Sequence, residues 1–128
     1  MTIDFKMEKE GDYLLVTCQG PYVGEGLRDV HQQALDYAVA EGLGAILVDT
    51  TGLHGHSPTR MDRFGFGQAI AEMQRRSRSS VWIAFVGKAP IVDPGRFGET
   101  VAVNRGGLAK VFEDTDEAAA WIRERLAA

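Results

Sequence analysis

Two histidines one residue apart, His54 and His56, are the side chains whose type and spacing first suggest chemistry in this chain. If the backbone around them is extended, both imidazoles point to one side and could share a metal ion. Asp49 and Asp62 could add carboxylate ligands. Metal sites of this kind normally have further ligands at short, regular spacing, and the only other histidine, His31, lies in a separate segment. Two histidines between glycines are more typical of a solvated loop, so we predict no metal and no cofactor.

The same loop contains Ser57, which with an imidazole and Asp49 supplies the three groups of a nucleophilic site. The members of such a triad normally converge from separate segments, and the Gly-x-Ser-x-Gly turn of many hydrolases is absent. The glycine-rich stretch "GPYVGEG" lacks both the Lys-Ser/Thr ending of a phosphate loop and the full spacing of a dinucleotide site. We therefore predict no catalytic residue and keep a hydrolase or metal-dependent enzyme at the His54/His56 loop as an alternative.

Ser57 and Pro58 form the pattern of a helix start, with serine as the N-cap and proline at the first helical position. The capping role explains this serine and is the preferred interpretation. Phosphorylation of Ser57 is the alternative, because the dipole of a helix favours negative charge at its N-terminus.

Length, composition and charge favour one ordinary globular domain over residues 1–128. The chain has 128 residues, 45% of them hydrophobic and 25% charged, which is enough to form one core. A net charge of −4 gives no electrostatic footprint for nucleic acid. The single cysteine, Cys18, excludes an internal disulfide and is expected to be a buried, inert thiol. No signal peptide or membrane span is recognisable, so we expect a cytoplasmic protein.

Apolar periodicity and turn residues divide the chain into nine elements. The strands are predicted at "IDFKME", "YLLVTCQ", "AILVD", "VWIAFVG" and "LAKVF". The helices are predicted from about residue 25 to 41, from Ser57 onward, after an Asp93 N-cap as far as Asn104, and from 114 onward. In the second helix, Met61 and Phe64 are expected to lie near Ile70 and Met73.

This order, β-β-α-β-α-β-α-β-α, predicts an α/β domain with a mixed, mostly parallel five-stranded sheet, an antiparallel edge strand and four helices. Ligands of such sheets bind at the carboxyl ends of the strands. Three loops share that edge. The side chains that we predict to form an interaction or ligand rim there are Asp49, His54, His56, Arg60, Phe64, Lys88 and Arg96. The cations could hold a carboxylate or phosphate, although ordinary solvated charge is the preferred interpretation.

The strands "AILVDTTG" and "VWIAFVG" and the ending "RFGETVAVNRGGLAKVFEDTDEAAAWI" resemble the STAS domains of the anti-sigma-factor antagonists. They are closer still to the bacterial STAS-like proteins grouped with lipid-binding CRAL-TRIO domains, most of which have no assigned activity. The resemblance covers nearly the whole chain and implies a STAS-like fold. In the antagonists, a serine that opens the helix after a strand ending in Asp is phosphorylated by a partner kinase. Asp49 and Ser57 lie in the matching region, where this chain has His-Ser-Pro-Thr in place of Asp-Ser-x-Gly.

Three functional hypotheses follow. The first is a non-catalytic regulatory module that uses the loop and helix start around residues 52–66 to bind a protein, or a second copy of itself as a homodimer. It requires an exposed apolar patch beside Phe64 and Phe66. The second is a binder of a small amphipathic or lipid-like ligand, which requires a pocket of a few hundred cubic ångströms. The third is the enzyme, which requires His54 or His56 to lie within hydrogen-bond reach of a carboxylate or serine.

Overall fold

A computed structural model of the chain describes residues 3–55, 57–78, 80–92, 95 and 97–127. The predicted rim residues His56 and Arg96 and the predicted cap Asp93 lie outside these residues. The elements, in chain order, are β1 (Asp4–Glu10), β2 (Tyr13–Pro21), α1 (Gly24–Ala40), β3 (Ala45–His54), α2 (Arg60–Ser77), β4 (Trp82–Val86), α3 (Phe97–Asn104), β5 (Ala109–Phe112) and α4 (Thr115–Ala127).

The five strands form one sheet in the order β1-β2-β3-β4-β5. β1 is antiparallel to β2, with Met7 opposite Val16, and the remaining neighbours are parallel. The predicted edge hairpin, mixed sheet and four helices are therefore confirmed. From β2 to β5, each parallel strand lies beside the preceding strand, always in the same direction across the sheet. Right-handed connections therefore place the helices that join these strands on one face of the sheet.

The two faces of the sheet have separate apolar cores, which explains why the central strands are apolar at every position. In β3, Ile46 and Val48 pack into the core beneath α1 and α2, whereas Ala45 and Leu47 pack into the core beneath α4. Cys18 lies in the first core and is fully buried. Burial, together with the charge of Asp49, raises the pKa of its thiol to about 12, so the thiol stays protonated and inert as expected.

β3 is longer than the sequence pattern indicates. We expected it to end at Asp49, but it continues beside β2 as far as His54, after an irregular register between Thr17 and Gln19. At Gly52 the strands come so close that a Cβ atom would lie 2.6 Å from the carbonyl oxygen of Cys18. Glycine removes that clash, and the turn-like sequence "TTGLH" is extended backbone for this reason.

No helix in the described part of the chain is long and apolar enough to cross a membrane.

Candidate functional site

The rim was predicted at the edge of the sheet where β2, β3 and β4 end, which in the structure is at Pro21, His54 and Val86. The backbone N–H of Tyr22 donates to the carbonyl oxygen of His54 at 2.7 Å and joins the first two of these ends. Burial, and the nearby carboxylate of Asp62, raise the pKa of the half-buried Tyr22. The name "rim" is used below for this edge and its loops.

Asp49 lies below the rim, inside β3, and its carboxylate has local partners. One oxygen accepts both the backbone N–H of Thr51 at 2.9 Å and the Thr51 hydroxyl at 2.7 Å. This Asx-type arrangement satisfies a polar group within the strand rather than orienting an imidazole. Asp49 was predicted as a rim residue, but in this arrangement its carboxylate stabilises the local backbone of β3.

The N-cap of α2 is Thr59, so the prediction that Ser57 caps this helix was wrong. The Thr59 hydroxyl accepts the backbone N–H of Asp62 at 3.0 Å, and the Asp62 carboxylate accepts the backbone N–H of Thr59 at 2.9 Å. This reciprocal capping box satisfies two backbone donors, whereas a Ser-Pro start would satisfy one. Ser57 is exposed before the helix, and Pro58 is buried beneath it.

Four apolar residues were expected to lie near one another on α2. Of these, Ile70 and Met73 lie on its buried face together with Gly67 and Gln74, whereas Met61 is 74% exposed. A glycine and a glutamine on the buried face conceal the apolar pattern from which a helical face is normally recognised. Met61 is therefore an exposed apolar side chain in the first turn of α2, beside the rim.

Phe64, predicted as a rim residue, is half-buried and lies one turn further along α2. The guanidinium of Arg105 lies 5.0 Å from the centre of its ring, a cation–π contact that covers one side of the ring. Arg105 follows α3, so this contact ties α2 to α3. Phe64 therefore contributes to the packing of α2 against α3 rather than to an exposed apolar patch.

Arg63 connects α2 to the loop after β4, a role that the sequence did not indicate. Its guanidinium donates to the carbonyl oxygen of Pro90 at 2.7 Å and to that of Ile91 at 3.3 Å. Pro90 follows a cis peptide bond. Two donors from one planar group fix the distance and the direction of the loop relative to the helix. The contact spans 27 residues of sequence, and no local motif reveals it.

His54 and Lys88, two of the predicted rim residues, lie close together. They line an open groove of about 270 Å³ between the end of β3 and the loop that begins with Lys88 and includes Pro90. Arg60, the first residue of α2, is also exposed near this edge. The groove is a surface feature with one imidazole and one ammonium group.

A small, mostly apolar cavity lies behind the groove, between α2 and the sheet. Its volume is about 80 Å³, and it is lined by side chains from α1, α2, β4, β5 and the loop after β4, among them Leu27, Phe66, Ile70, Phe85 and Val92. The buried Thr50 also contributes, and its hydroxyl donates to the carbonyl oxygen of Val86 at 2.8 Å. This volume lies between the share of one water, about 30 Å³, and a cavity of about 150 Å³ that holds benzene.

Glu99 lines the same cavity and protects the edge of the sheet. Its carboxylate accepts the backbone N–H of Val111 at 2.7 Å, on the side of β5 that has no neighbouring strand. Unpaired N–H groups on an edge strand invite pairing with another chain, so this contact blocks one such donor.

The arrangement of the described residues gives no support to a catalytic or metal site. No group of three or more His, Cys, Asp or Glu side chains in the described part of the chain could hold a metal ion. The carboxylates nearest in sequence to His54 are bonded elsewhere, that of Asp49 to Thr51 and that of Asp62 to Thr59. The enzyme hypothesis depends on a hydrogen bond between an imidazole and a carboxylate or serine. His54 forms no such bond with any described residue.

Gly87, at the end of β4, lets the next loop close over the cavity. A Cβ atom there would meet the hydroxyl of Thr50 and lie 2.5 Å from a methyl group of Val92. Both neighbours are β-branched and have little freedom to move aside. We expect Gly87→Ala to lower the free energy of unfolding by about 2 kcal/mol, the usual cost of overfilling a packed site, as measured by urea denaturation.

The matched control for this variant is Gly65→Ala, in the middle of α2. A Cβ atom at Gly65 would have no atom within 4 Å. The substitution should therefore raise the free energy of unfolding by about 0.5–1 kcal/mol through helix propensity alone. Equal effects of the two variants would show that the space around Gly87 is not restricted.

Comparisons with known proteins give results at the level of structure only. No protein-family model and no curated protein matches the sequence. The crystal structure of an anti-sigma factor antagonist from Mycobacterium paratuberculosis is similar over 95% of both chains, with 14% identity and a TM-score of 0.62.

A second similar structure is that of an uncharacterised DUF3478-family protein with a SpoIIAA-like fold from Shewanella loihica PV-4. It matches over 94% of both chains, with 21% identity and a TM-score of 0.53. At these identities the likeness establishes the fold, which agrees with the element order, the sheet topology and the position of the helices described above. The chain has a STAS-like fold, as the sequence resemblance predicted.

Proposed function

We propose that this protein is a non-catalytic regulatory module that binds another protein through the surface formed by residues 52–66. The observation that carries the proposal is Met61, which is 74% exposed in the first turn of α2. A methionine side chain is flexible and polarisable, and exposed methionines are common on surfaces that bind protein partners. A similar structure belongs to a protein described as an anti-sigma factor antagonist, a description that implies a protein target for that neighbour.

The surface around Met61 is held rigidly, which favours binding. The capping box fixes the first turn of α2, and the two hydrogen bonds from Arg63 fix the neighbouring loop. A surface that is already ordered loses less conformational entropy when a partner docks. His54 and Lys88 in the adjacent groove add polar groups at the border of the apolar contact.

Ser57 is part of this proposed surface as a site of modification. Its hydroxyl is exposed, and the capping role that would have explained its presence belongs to Thr59. A phosphate at Ser57 would lie close to the positive end of the helix dipole and beside the Met61 surface. It would change both the charge and the shape of the contact area.

The other hypotheses receive less support from the geometry. The cavity of about 80 Å³ is much smaller than the few hundred cubic ångströms that a lipid-like molecule requires. Self-association remains a form of the same interaction, since a second copy could provide the partner surface. A cytoplasmic location belongs to the proposal, because a regulatory partner of this kind is met there.

Replacing Met61 by lysine tests the proposed surface. Tagged wild-type protein, Met61→Lys and Val39→Lys are incubated with extract of the source cells, and the recovered proteins are quantified by mass spectrometry. Val39 is 41% exposed at the far end of α1, so its substitution controls for an added charge at an exposed apolar position. We expect a partner that both wild type and Val39→Lys recover and that Met61→Lys recovers at least tenfold less, about 1.4 kcal/mol of binding.

Both substitutions are at exposed positions, so both variants should unfold at the same urea concentration as the wild type. Unchanged unfolding would show that a loss of binding is a local effect. Sedimentation velocity on the same three proteins distinguishes a separate partner from a second copy. Equal recovery of every protein by wild type and Met61→Lys, with equal sedimentation, would exclude this surface as the binding site.

A further inference from the structure

His31 is a histidine placed inside an apolar core, and one of its ring nitrogens has no hydrogen-bond partner among the described residues. The side chain is 2% exposed, on the inner face of α1. Its Nδ1 atom lies 2.7 Å from the carbonyl oxygen of Leu27, while Nε2 is the buried nitrogen that no described residue bonds. Buried polar atoms without partners are rare and costly, so this nitrogen requires an explanation.

The contact with Leu27 fixes the tautomer of the ring. A carbonyl oxygen only accepts, so Nδ1 must carry the proton and donate it. Burial lowers the pKa of His31 to about 4, and the ring is therefore neutral at physiological pH. In the neutral ring, Nε2 is then a bare lone pair, and only a hydrogen-bond donor can satisfy it.

The apolar cavity of about 80 Å³ and the His31 ring are in contact with the same two aromatic side chains. Phe66 and Phe85 line the cavity, and their ring centres lie 5.0 and 4.7 Å from that of His31. Phe85 is fixed in the central strand β4, whereas Phe66 is half-buried on α2 between Gly65 and Gly67. Phe66 is the more exposed of the two rings and Phe85 is buried, so Phe66 is the ring that can turn aside.

We propose that this cavity, joined to His31 when the Phe66 ring rotates, is a binding site for a small uncharged molecule with an apolar body and one hydrogen-bond donor. The donor, a hydroxyl or an N–H group, would bond to Nε2, and the apolar body would fill the cavity. This site is separate from the Met61 surface, and neither proposal depends on the other.

The charged residues at the cavity do not favour a charged ligand. The carboxylate of Asp62 is bonded within the capping box, Arg63 donates to two carbonyl oxygens, and Glu99 accepts the N–H of Val111. An anion would also need a protonated His31 as its partner, and burial keeps that ring neutral. A buried cation would lose its hydration without a free carboxylate to replace it.

The volume sets the size of the molecule. About 80 Å³ is roughly half of the cavity of about 150 Å³ that holds benzene, and displacing the Phe66 ring adds the remaining space. A single six-membered ring with one hydroxyl fits these limits, whereas an acyl chain does not. Phenol is therefore a suitable probe, and toluene is its matched control, because it has the same shape without the donor.

The test measures phenol and toluene binding to the wild-type protein by NMR titration, together with the 15N resonances of the His31 ring. Phenol is expected to shift the Nε2 resonance and the ring protons of Phe66, and to bind about tenfold more tightly than toluene, as one hydrogen bond to an otherwise unpaired group predicts. In His31→Phe, which keeps a ring at this position, the two affinities should become equal.

Several results would overturn the proposal. The first is that phenol and toluene bind equally to the wild type, and the second is that neither binds at millimolar concentration. The third is that the Nε2 resonance of the free protein already reports a hydrogen bond to an internal water and does not change when phenol is added. The wild-type spectra decide the matter even if His31→Phe does not fold.

Discussion

Lowering the pH from 7 to 4 is expected to remove about 3 kcal/mol from the free energy of unfolding through His31 alone. In the folded protein, burial in the apolar core lowers the pKa of this imidazole to about 4 from an ordinary value of 6.5. The unfolded chain exposes the imidazole to water and binds a proton at the ordinary value. Between these two pKa values the unfolded state therefore carries more protons, and acid favours unfolding.

The direction and the range of this effect follow from the two pKa values. Above pH 6.5 both states are neutral at His31, and the full stability is present. The stability falls as the pH decreases from 6.5 and levels off below about 4, where the folded protein also binds the proton. The hydrogen bond of the ring to the carbonyl oxygen of Leu27 raises the pKa, but burial outweighs it.

Urea denaturation of the wild type and of His31→Phe at a series of pH values between 7 and 4 measures this contribution. Phenylalanine keeps the ring contacts with Phe66 and Phe85 and cannot titrate, so the difference between the two proteins removes the effect of the carboxylates. Parallel curves for the wild type and His31→Phe would contradict the prediction.

The fold was predictable because it depends on patterns that are strong over short distances. A continuous apolar run, such as that of β4, indicates a strand that is buried on both faces. An alternating run, such as that of β1, indicates a strand that is buried on one face. The right-handed connection rule then leaves few arrangements of the sheet. The extra length of β3 was missed because pairing with β2 and the missing Cβ of Gly52 override a turn-like composition.

The start of α2 was misplaced because two capping signals overlap there. Ser57-Pro58 and Thr59-x-x-Asp62 both match helix-start patterns, and the second forms because it satisfies two backbone groups reciprocally. Met61 was grouped with Phe64, Ile70 and Met73 on this helix, but it is exposed while Ile70 and Met73 are buried. The capping box was present in the sequence and could have been found there, but the exposure of Met61 could not.

The contacts that shape the candidate site join residues far apart in the chain, and the sequence carries no local sign of them. Arg63 reaches Pro90, and Glu99 reaches Val111, through hydrogen bonds to backbone atoms that any residue could provide. His31 has an ordinary place in an amphipathic helix, and only the packing of Phe66 and Phe85 around it shows that one nitrogen lacks a partner. The functional interest of this histidine becomes visible only in three dimensions.

Replacing Gln74 by leucine should lower the free energy of unfolding by about 3 kcal/mol at neutral pH. Gln74 is 6% exposed near the end of α2, and its amide bonds to backbone atoms at the starts of β4 and β5. The side-chain nitrogen donates to the carbonyl oxygens of Val81 at 2.8 Å and Leu108 at 3.3 Å, and the side-chain oxygen accepts the N–H of Leu108 at 2.8 Å. Leucine cannot replace these bonds, so the carbonyl oxygen of Val81 and the N–H of Leu108 lose their side-chain partner, each at a cost of about 1–3 kcal/mol. The carbonyl oxygen of Leu108 still accepts the N–H of Ile83.

Gln68→Leu is the matched control, because Gln68 is an exposed glutamine on the same helix. It should change the free energy of unfolding by less than about 0.5 kcal/mol. Urea denaturation of both variants, with an unchanged dependence on denaturant concentration, separates the loss of native hydrogen bonds from a change in the unfolded state. A small effect of Gln74→Leu would mean that water or a rearranged backbone satisfies these groups. The large effect that we expect would show that the amide of Gln74 anchors the C-terminal end of α2 to the starts of β4 and β5.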